Sequence, residues 1–218
     1  MRKSVILIFL TTILFGSNAQ TPEYITFQEG WYVGINTGAT WFFGEGTIPI
    51  QKNNNFALTK NCGNSFRLLA GYDFNPVIGV RGTAGYGRYY WPLLKNPEQK
   101  LSLNATQFTI DLTVDLTNWW CDFDPDRKIN FLAFGGTGIN QRAKGDLTST
   151  LTSGIIGGGV EADWHLSPQL TLNLSMAADG VSDSFNGLAS GFPLDICTDL
   201  SIGFVYHFRY VNGVIYRW

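Results

Sequence analysis

The sequence predicts an all-β fold: an eight-stranded antiparallel up-and-down transmembrane β-barrel with short periplasmic turns and longer extracellular loops. Three observations predict it. Apolar and polar residues alternate one by one through eight segments, the period of a strand with one apolar face. Charged residues are only 15% of the chain, against about 25% in soluble domains, while aromatic residues also reach 15% with 7 Trp. The connections between segments alternate between short and long. Mean hydropathy is +0.01 although 44% of residues are hydrophobic, the mean that strict alternation leaves behind.

The N-terminus sets the compartment. Arg2 and Lys3 are followed by the apolar run Val5 to Phe15 and by the small-x-small site Ser17-Asn18-Ala19, the pattern of a secretory signal peptide. Residues 1–19 are expected to be removed, leaving an exported chain of 20–218 whose formal charge goes from −2 to −4. No Cys stands at the new N-terminus, so no lipid anchor is expected there.

The strands follow in order. The first places Trp31, Val33, Ile35, Thr37, Ala39, Trp41 and Phe43 on one face. The second opposes Phe66, Leu68, Ala70 and Tyr72 to Arg67, Leu69 and Gly71, and the third opposes Ile78, Val80 and Tyr86 to Gly79, Arg81 and Gly87. The fourth alternates Phe108, Ile110, Leu112, Val114 and Leu116 with Gln107, Thr109, Asp111, Thr113 and Asp115. The fifth covers about 129–140, and the sixth, about 152–165, opposes Ile156, Val160 and Trp164 to Glu161 and Asp163. The seventh sets Leu170, Leu172, Leu174 and Met176 against Thr171, Asn173 and Ser175. The eighth sets Leu200, Ile202, Phe204, Tyr206 and Phe208 against Asp199, Ser201, Gly203 and His207. An even strand number suits a closed bacterial barrel. Asn75-Pro76, the Pro-containing segment 122–127 and Ser167-Pro168 read as short turns, and 45–63, 92–103, 141–151 and 181–196 as long loops.

Alternation alone does not say which face turns inward. The polar face carries Arg67 and Arg81 together with Asp111, Asp115, Glu161, Asp163 and Asp199, and none of the predicted strands holds a Lys. Those charges are expected to pair in a narrow lumen, because an eight-stranded barrel is just wide enough for side chains to fill. Aromatics gather at strand ends as girdles do, namely Trp31, Tyr72, Trp120 and Trp164 at the short-turn end and Trp41 and Tyr90 at the other. Trp31 and Trp41 are ten residues apart on one face, roughly 23 Å in height at ~3.3 Å per residue and ~45° tilt, near the ~25 Å apolar band.

The segment 201–208 carries Gly203, Tyr206 and Phe208 in the polar-x-Gly-x-x-aromatic-x-aromatic pattern of the β-signal on the last strand of outer-membrane proteins. With its eight strands, the chain resembles the small outer-membrane barrels of the OmpA N-terminal, OmpX and OmpW type. The resemblance covers the whole exported chain and is architectural. It implies outer-membrane lipid as surroundings and the outer-membrane assembly machinery as a partner through the β-signal. It departs from the family in lacking a match to the peptidoglycan-binding domain of OmpA and in carrying residues 209–218 beyond the β-signal, a tail that ends on Trp218.

Signals for chemistry are few. His165 and His207 fall at the ends of strands running toward the periplasm, away from the outer rim where lipid-modifying barrels act, so no catalytic residue is expected. No metal-ligand spacing stands out, Asp122-Phe123-Asp124-Pro125-Asp126 lacks the Gly and Glu of a calcium loop, and Gly157-Gly158-Gly159 leads into a strand, so neither metal nor cofactor is expected. With 15 basic against 17 acidic residues, nucleic acid is not an expected partner. Cys62 and Cys197 fall at the same end and could form a disulfide only if loops bring them together, while Cys121 is at the other end. The expected role is structural or one of partner interaction in the cell envelope, with a lumen plugged by charge pairs. Loops 45–63 and 181–196, with Asn53-Asn54-Asn55, Phe185 and Phe192, are offered to an envelope partner. A narrow channel for small or apolar solutes is the alternative, and a lipid-modifying enzyme the least favoured.

Overall fold

A strand in hydrocarbon must find partners for both its edges, because no water is there to take its N–H and C=O groups. The chain meets that demand by closure. The computed structural model describes residues 29–43, 62–93, 96–124, 126–143, 150–182 and 194–208, with the backbone alone at 91–93 and 96–101. Within them lie β1 (Gly30–Phe43), β2 (Gly63–Asp73), β3 (Ile78–Leu93), β4 (Asn96–Asp115), a short helix α1 (Leu116–Trp120), β5 (Ile129–Arg142), β6 (Leu151–His165), β7 (Leu170–Ser182) and β8 (Leu194–His207). Every strand pairs antiparallel with the next, and β1 pairs with β8 from Tyr32↔His207 to Phe43↔Ile196, which shuts the ring.

The apolar face of each strand turns outward. Ile110 is 68% and Ile156 64% exposed, and Leu68, Leu174 and Ile202 are exposed beside them. The opposite face is buried in the lumen: Asn36, Arg67, Arg81, Asp111, Glu161, Asn173 and Asp199 all lie inside. A soluble barrel has the reverse polarity. Lumenal glycines make this narrow interior fit. A Cβ at Gly157 would run into the Asp179 carboxylate and the Ala178 carbonyl.

Three sequence expectations change. Residues 92–103 are not a long loop, because β3 and β4 stay paired up to Leu93↔Asn96 and project beyond the other strands at the long-loop end. That extension brings Lys100 into a strand, opposite Pro92, so the expectation of lysine-free strands does not hold. Leu116 does not end β4. Asp115 caps α1 by accepting from Asn118 N at 2.8 Å, and the chain reaches β5 only at Ile129, so this connection is the longest at the short-turn end. The carboxylate captures the Asn118 backbone N–H, three residues on, and turns the chain out of the ladder.

The other two connections at that end are tight. Asn75 Oδ1 accepts from the backbone N–H of Val77 and Ile78, both at 2.8 Å, and Ser167 Oγ from Leu170 N at 3.0 Å. Asp124 Oδ1 accepts from Asp126 N at 3.0 Å, the local geometry of a turn. Cys62 and Cys197 are free, as is Cys121, so the contemplated disulfide is not formed. Cys197 is buried in the lumen wall opposite Phe42, on a strand rather than in a loop. The cleavage site, most of loops 45–63 and 181–196, and the tail 209–218 lie outside the described residues, and β8 ends at His207.

Candidate functional site

The lumen is the place where polar chemistry collects, and it is layered along the barrel. Nearest the long-loop end is an apolar layer formed by Phe42, Tyr89, Leu103, Ala105, Ile155, Val181 and Cys197. Its members sit at inward positions on six of the eight strands, so they meet across the axis.

Beneath it lies the first charge pair. Arg67 Nη2 is 2.9 Å from Asp199 Oδ1, and Ser65 Oγ donates to the other oxygen of the same carboxylate. These residues come from β2 and β8, which flank β1, and Gly38 on β1 stands opposite both Ser65 and Ser201, where a Cβ would strike Ser201. Deeper still, Arg81 binds two carboxylates. Its Nη1 is 2.7 Å from Glu161 Oε1 across the barrel, and its Nε is 3.6 Å from Asp111 Oδ2 on the paired strand. The guanidinium also stacks over Phe134, with Cζ 4.4 Å from the ring centroid. Three interactions of one buried Arg tie together β3, β4, β5 and β6.

The other expected members of this network have different partners. Asp163 accepts from Asn173 Nδ2 at 2.6 Å, and Asn36 Nδ2 donates to Asn173 Oδ1 at 2.8 Å. Asp115 accepts from Asn118 and from Asn130 Nδ2, the latter at 2.6 Å. Asp115 and Asp163 thus stand outside the arginine pairs and are met by amides. The amide chain also gives Gly203 a physical role. Asn36 and Asn173 lie on β1 and β7, each opposite Gly203 of the intervening β8, and a Cβ there would strike the Asn36 amide and the Ile35 carbonyl. Two amides meet over this glycine because it has no side chain.

At the short-turn end, Thr171 Oγ1 is 3.0 Å from His165 Nδ1 and 3.4 Å from His207 Nε2, and His207 Nδ1 is 3.9 Å from Asp73 Oδ2. A hydroxyl, an imidazole and a carboxylate are therefore close in space, which the sequence did not reveal. Thr171 is fully buried and shared between two rings, so it is a bridging group with no face open to a substrate. Tyr32, Leu69 and Val205 form a second, smaller apolar cluster, and Tyr32 and Leu69 also line a cavity that opens between the short turns.

The expected girdle residues are outward. Trp31 packs edge-on against Tyr72 at 5.1 Å, Tyr72 against Phe74 at 5.3 Å, and Tyr206 against Phe208 at 5.1 Å. Trp164 is exposed, while Trp41 and Tyr90 at the opposite end are half-buried. Trp120 is on α1 rather than at a strand end, and stacks with Trp119 at 6.2 Å. Asp179, Asp195, Asn36, Asn140 and Arg142 are lumenal residues that the sequence reading did not single out. For Asp179 and Asp195 the signal was present: with Val181 and Cys197 they continue the alternation of β7 and β8 at either border of the segment read as a loop.

Comparison with known proteins gives the same architecture. The family described as outer membrane protein beta-barrel domain matches residues 7–208. Among solved structures, the chain is similar to Neisserial surface protein A, with TM-score 0.54 and 17% identity over 84% of this chain and 100% of that one. It is similar also to the outer membrane protein OprG from Pseudomonas aeruginosa, with TM-score 0.53 and 14% identity over 85% of this chain and 99% of that one. At these identities the likeness is one of fold. No curated protein sequence matches the chain.

Proposed function

The chain belongs to the outer membrane protein β-barrel family, and we propose that within it the protein is a non-enzymatic barrel with a sealed lumen whose work is structural or one of partner interaction. It resides in the outer membrane. The observation that carries the proposal is Arg81, held at 2.7 Å from Glu161 on the far wall of an interior only wide enough for side chains and at 3.6 Å from Asp111 on the neighbouring strand. The apolar layer of Phe42, Tyr89, Leu103 and Ile155 supports the same reading, since these side chains meet across the axis above the charge pairs. A narrow channel for solutes would have to break both layers.

On this reading residues 1–19 are the export signal, Gly203, Tyr206 and Phe208 are read by the assembly machinery, and partner contacts belong to the long-loop end. Planar-bilayer recording on the purified barrel tests it. The expected trace has no steady conductance, and brief openings become more frequent when Arg81→Met removes the bridge. A large, steadily open pore in the wild-type protein overturns the sealed-lumen reading.

A further inference from the structure

The described lining of the cavity between the short turns holds more carboxylates, Asp73, Asp115, Asp124, Glu161 and Asp163, than guanidiniums, Arg81 and Arg127. Asp115 of β4, Asn130 of β5 and Asp163 of β6 all line it, and they form an inward row across three adjacent strands. Asn130 stands opposite Asp163 in the β5–β6 register and donates Nδ2 to Asp115 at 2.6 Å. Neither carboxylate has an ion-pair partner among the described residues, and each is met by neutral amides. The cations nearby are otherwise engaged: Arg81 with Glu161 and Asp111, Arg127 with Asn118 Oδ1 at 2.7 Å and the Asp122 carbonyl at 2.9 Å.

Between the two carboxylates is an acceptor with nothing to accept. Asn130 is 9% exposed, and its Oδ1 has no hydrogen-bond partner. A buried acceptor left unmade is costly, and two carboxylates beside it favour a donor that carries positive charge. A metal ion would need ligands converging on one point, and no group of three His, Cys, Asp or Glu among the described residues converges so. An ammonium group suits the row better. It has three donors and no acceptor, and they diverge, so they can reach acceptors spaced roughly 5 Å apart along neighbouring strands.

We propose that this cavity is a binding site for a small primary alkylammonium ligand, whose charged group is held by Asp115, the Asn130 Oδ1 oxygen and Asp163. The cavity's lining includes Tyr32, Leu69 and Val205, an apolar surface for the alkyl part. Binding goes beyond the sealed-lumen reading and does not require it, since the row is reached from the short-turn mouth whether or not the layers above it are closed.

Calorimetric titration of n-butylammonium into the folded barrel in neutral detergent, at constant ionic strength, tests the site. Saturable binding is expected, with affinity reduced about tenfold or more in Asp163→Asn and in Asp115→Asn, and unchanged in Asp179→Asn. On the wild-type protein, n-butanol and butyrate are expected to give no saturable heat, and magnesium not to displace the amine. Should Asp115→Asn fail to fold because its amide NH2 would face the Asn118 and Asn130 donors, Asp163→Asn and the wild-type series carry the test. Absence of saturable binding, equal affinity in Asp163→Asn, or displacement by magnesium overturns the proposal, and none of these outcomes bears on the conductance experiment.

Discussion

Arg81 shows how much one lumenal side chain can hold together. Its partners Glu161 and Asp111 are nearly solvent-free, so truncating the cation leaves buried negative charge without compensation. Arg81→Met is expected to cost about 3–5 kcal/mol, and Arg81→Met with Glu161→Gln less than the sum of the two single changes. Urea unfolding in phospholipid vesicles, followed by tryptophan fluorescence, measures both. Gly203 works by the opposite principle, since its value is the absence of a Cβ. Gly203→Ala should push apart Asn36 and Asn173 and reduce stability by about 1–3 kcal/mol in the same assay. An alanine with no stability loss would mean that the amides can meet without that opening.

At the scale of elements, the strands differ in what they do above the membrane. A strand needs about 9–11 residues to cross, and β4 has 20, so the paired end of β3 and β4 stands clear of the band. There Pro92, Pro97, Glu98 and Lys100 break the apolar alternation and read as loop composition, which is why the extension was not legible. The reverse happened at α1, where Leu116 fits the apolar period of β4 and only the Asp115 cap diverts the chain. Element position also sorts the thiols. Cys121 follows α1 and is exposed, whereas Cys197 is enclosed in the apolar layer between β1 and β7. A maleimide is expected to label Cys121 in the folded barrel and Cys197 only after unfolding. Rapid labelling of Cys197 in the folded state would mean that the apolar layer opens.

For the molecule as a whole, closure is the source of resistance to unfolding. Within the closed ring every described strand has a neighbour on both sides, so unfolding finds no free edge there from which to peel a strand away. The unboiled protein in mild detergent is therefore expected to run as a compact band on a gel, with a shift in mobility on boiling. Identical mobility before and after heating would contradict a closed barrel stable outside the membrane. Arg81→Met should lower the temperature of that shift, which links the lumenal pairs to the stability of the ring.

The sequence by itself determined the periodicity and with it the class of fold, and the charges gathered on one face with the aromatics at the strand ends determined that the apolar face turns outward and that Arg67, Arg81, Asp111, Glu161 and Asp199 turn inward. A period of two decides which side of a sheet a residue occupies and nothing about its neighbours across the axis. Height and angular position come from strand tilt, register and the point of closure. Only the tertiary structure therefore decided that Arg81 meets Glu161 while Asp163 meets Asn173, and that Asp115 leaves the charge network to cap a helix. It decided also that Phe42, Tyr89, Leu103 and Ile155, from four different strands, join in one apolar layer. Each of those outcomes depends on contacts made across the barrel, where residues far apart in the chain share a narrow interior.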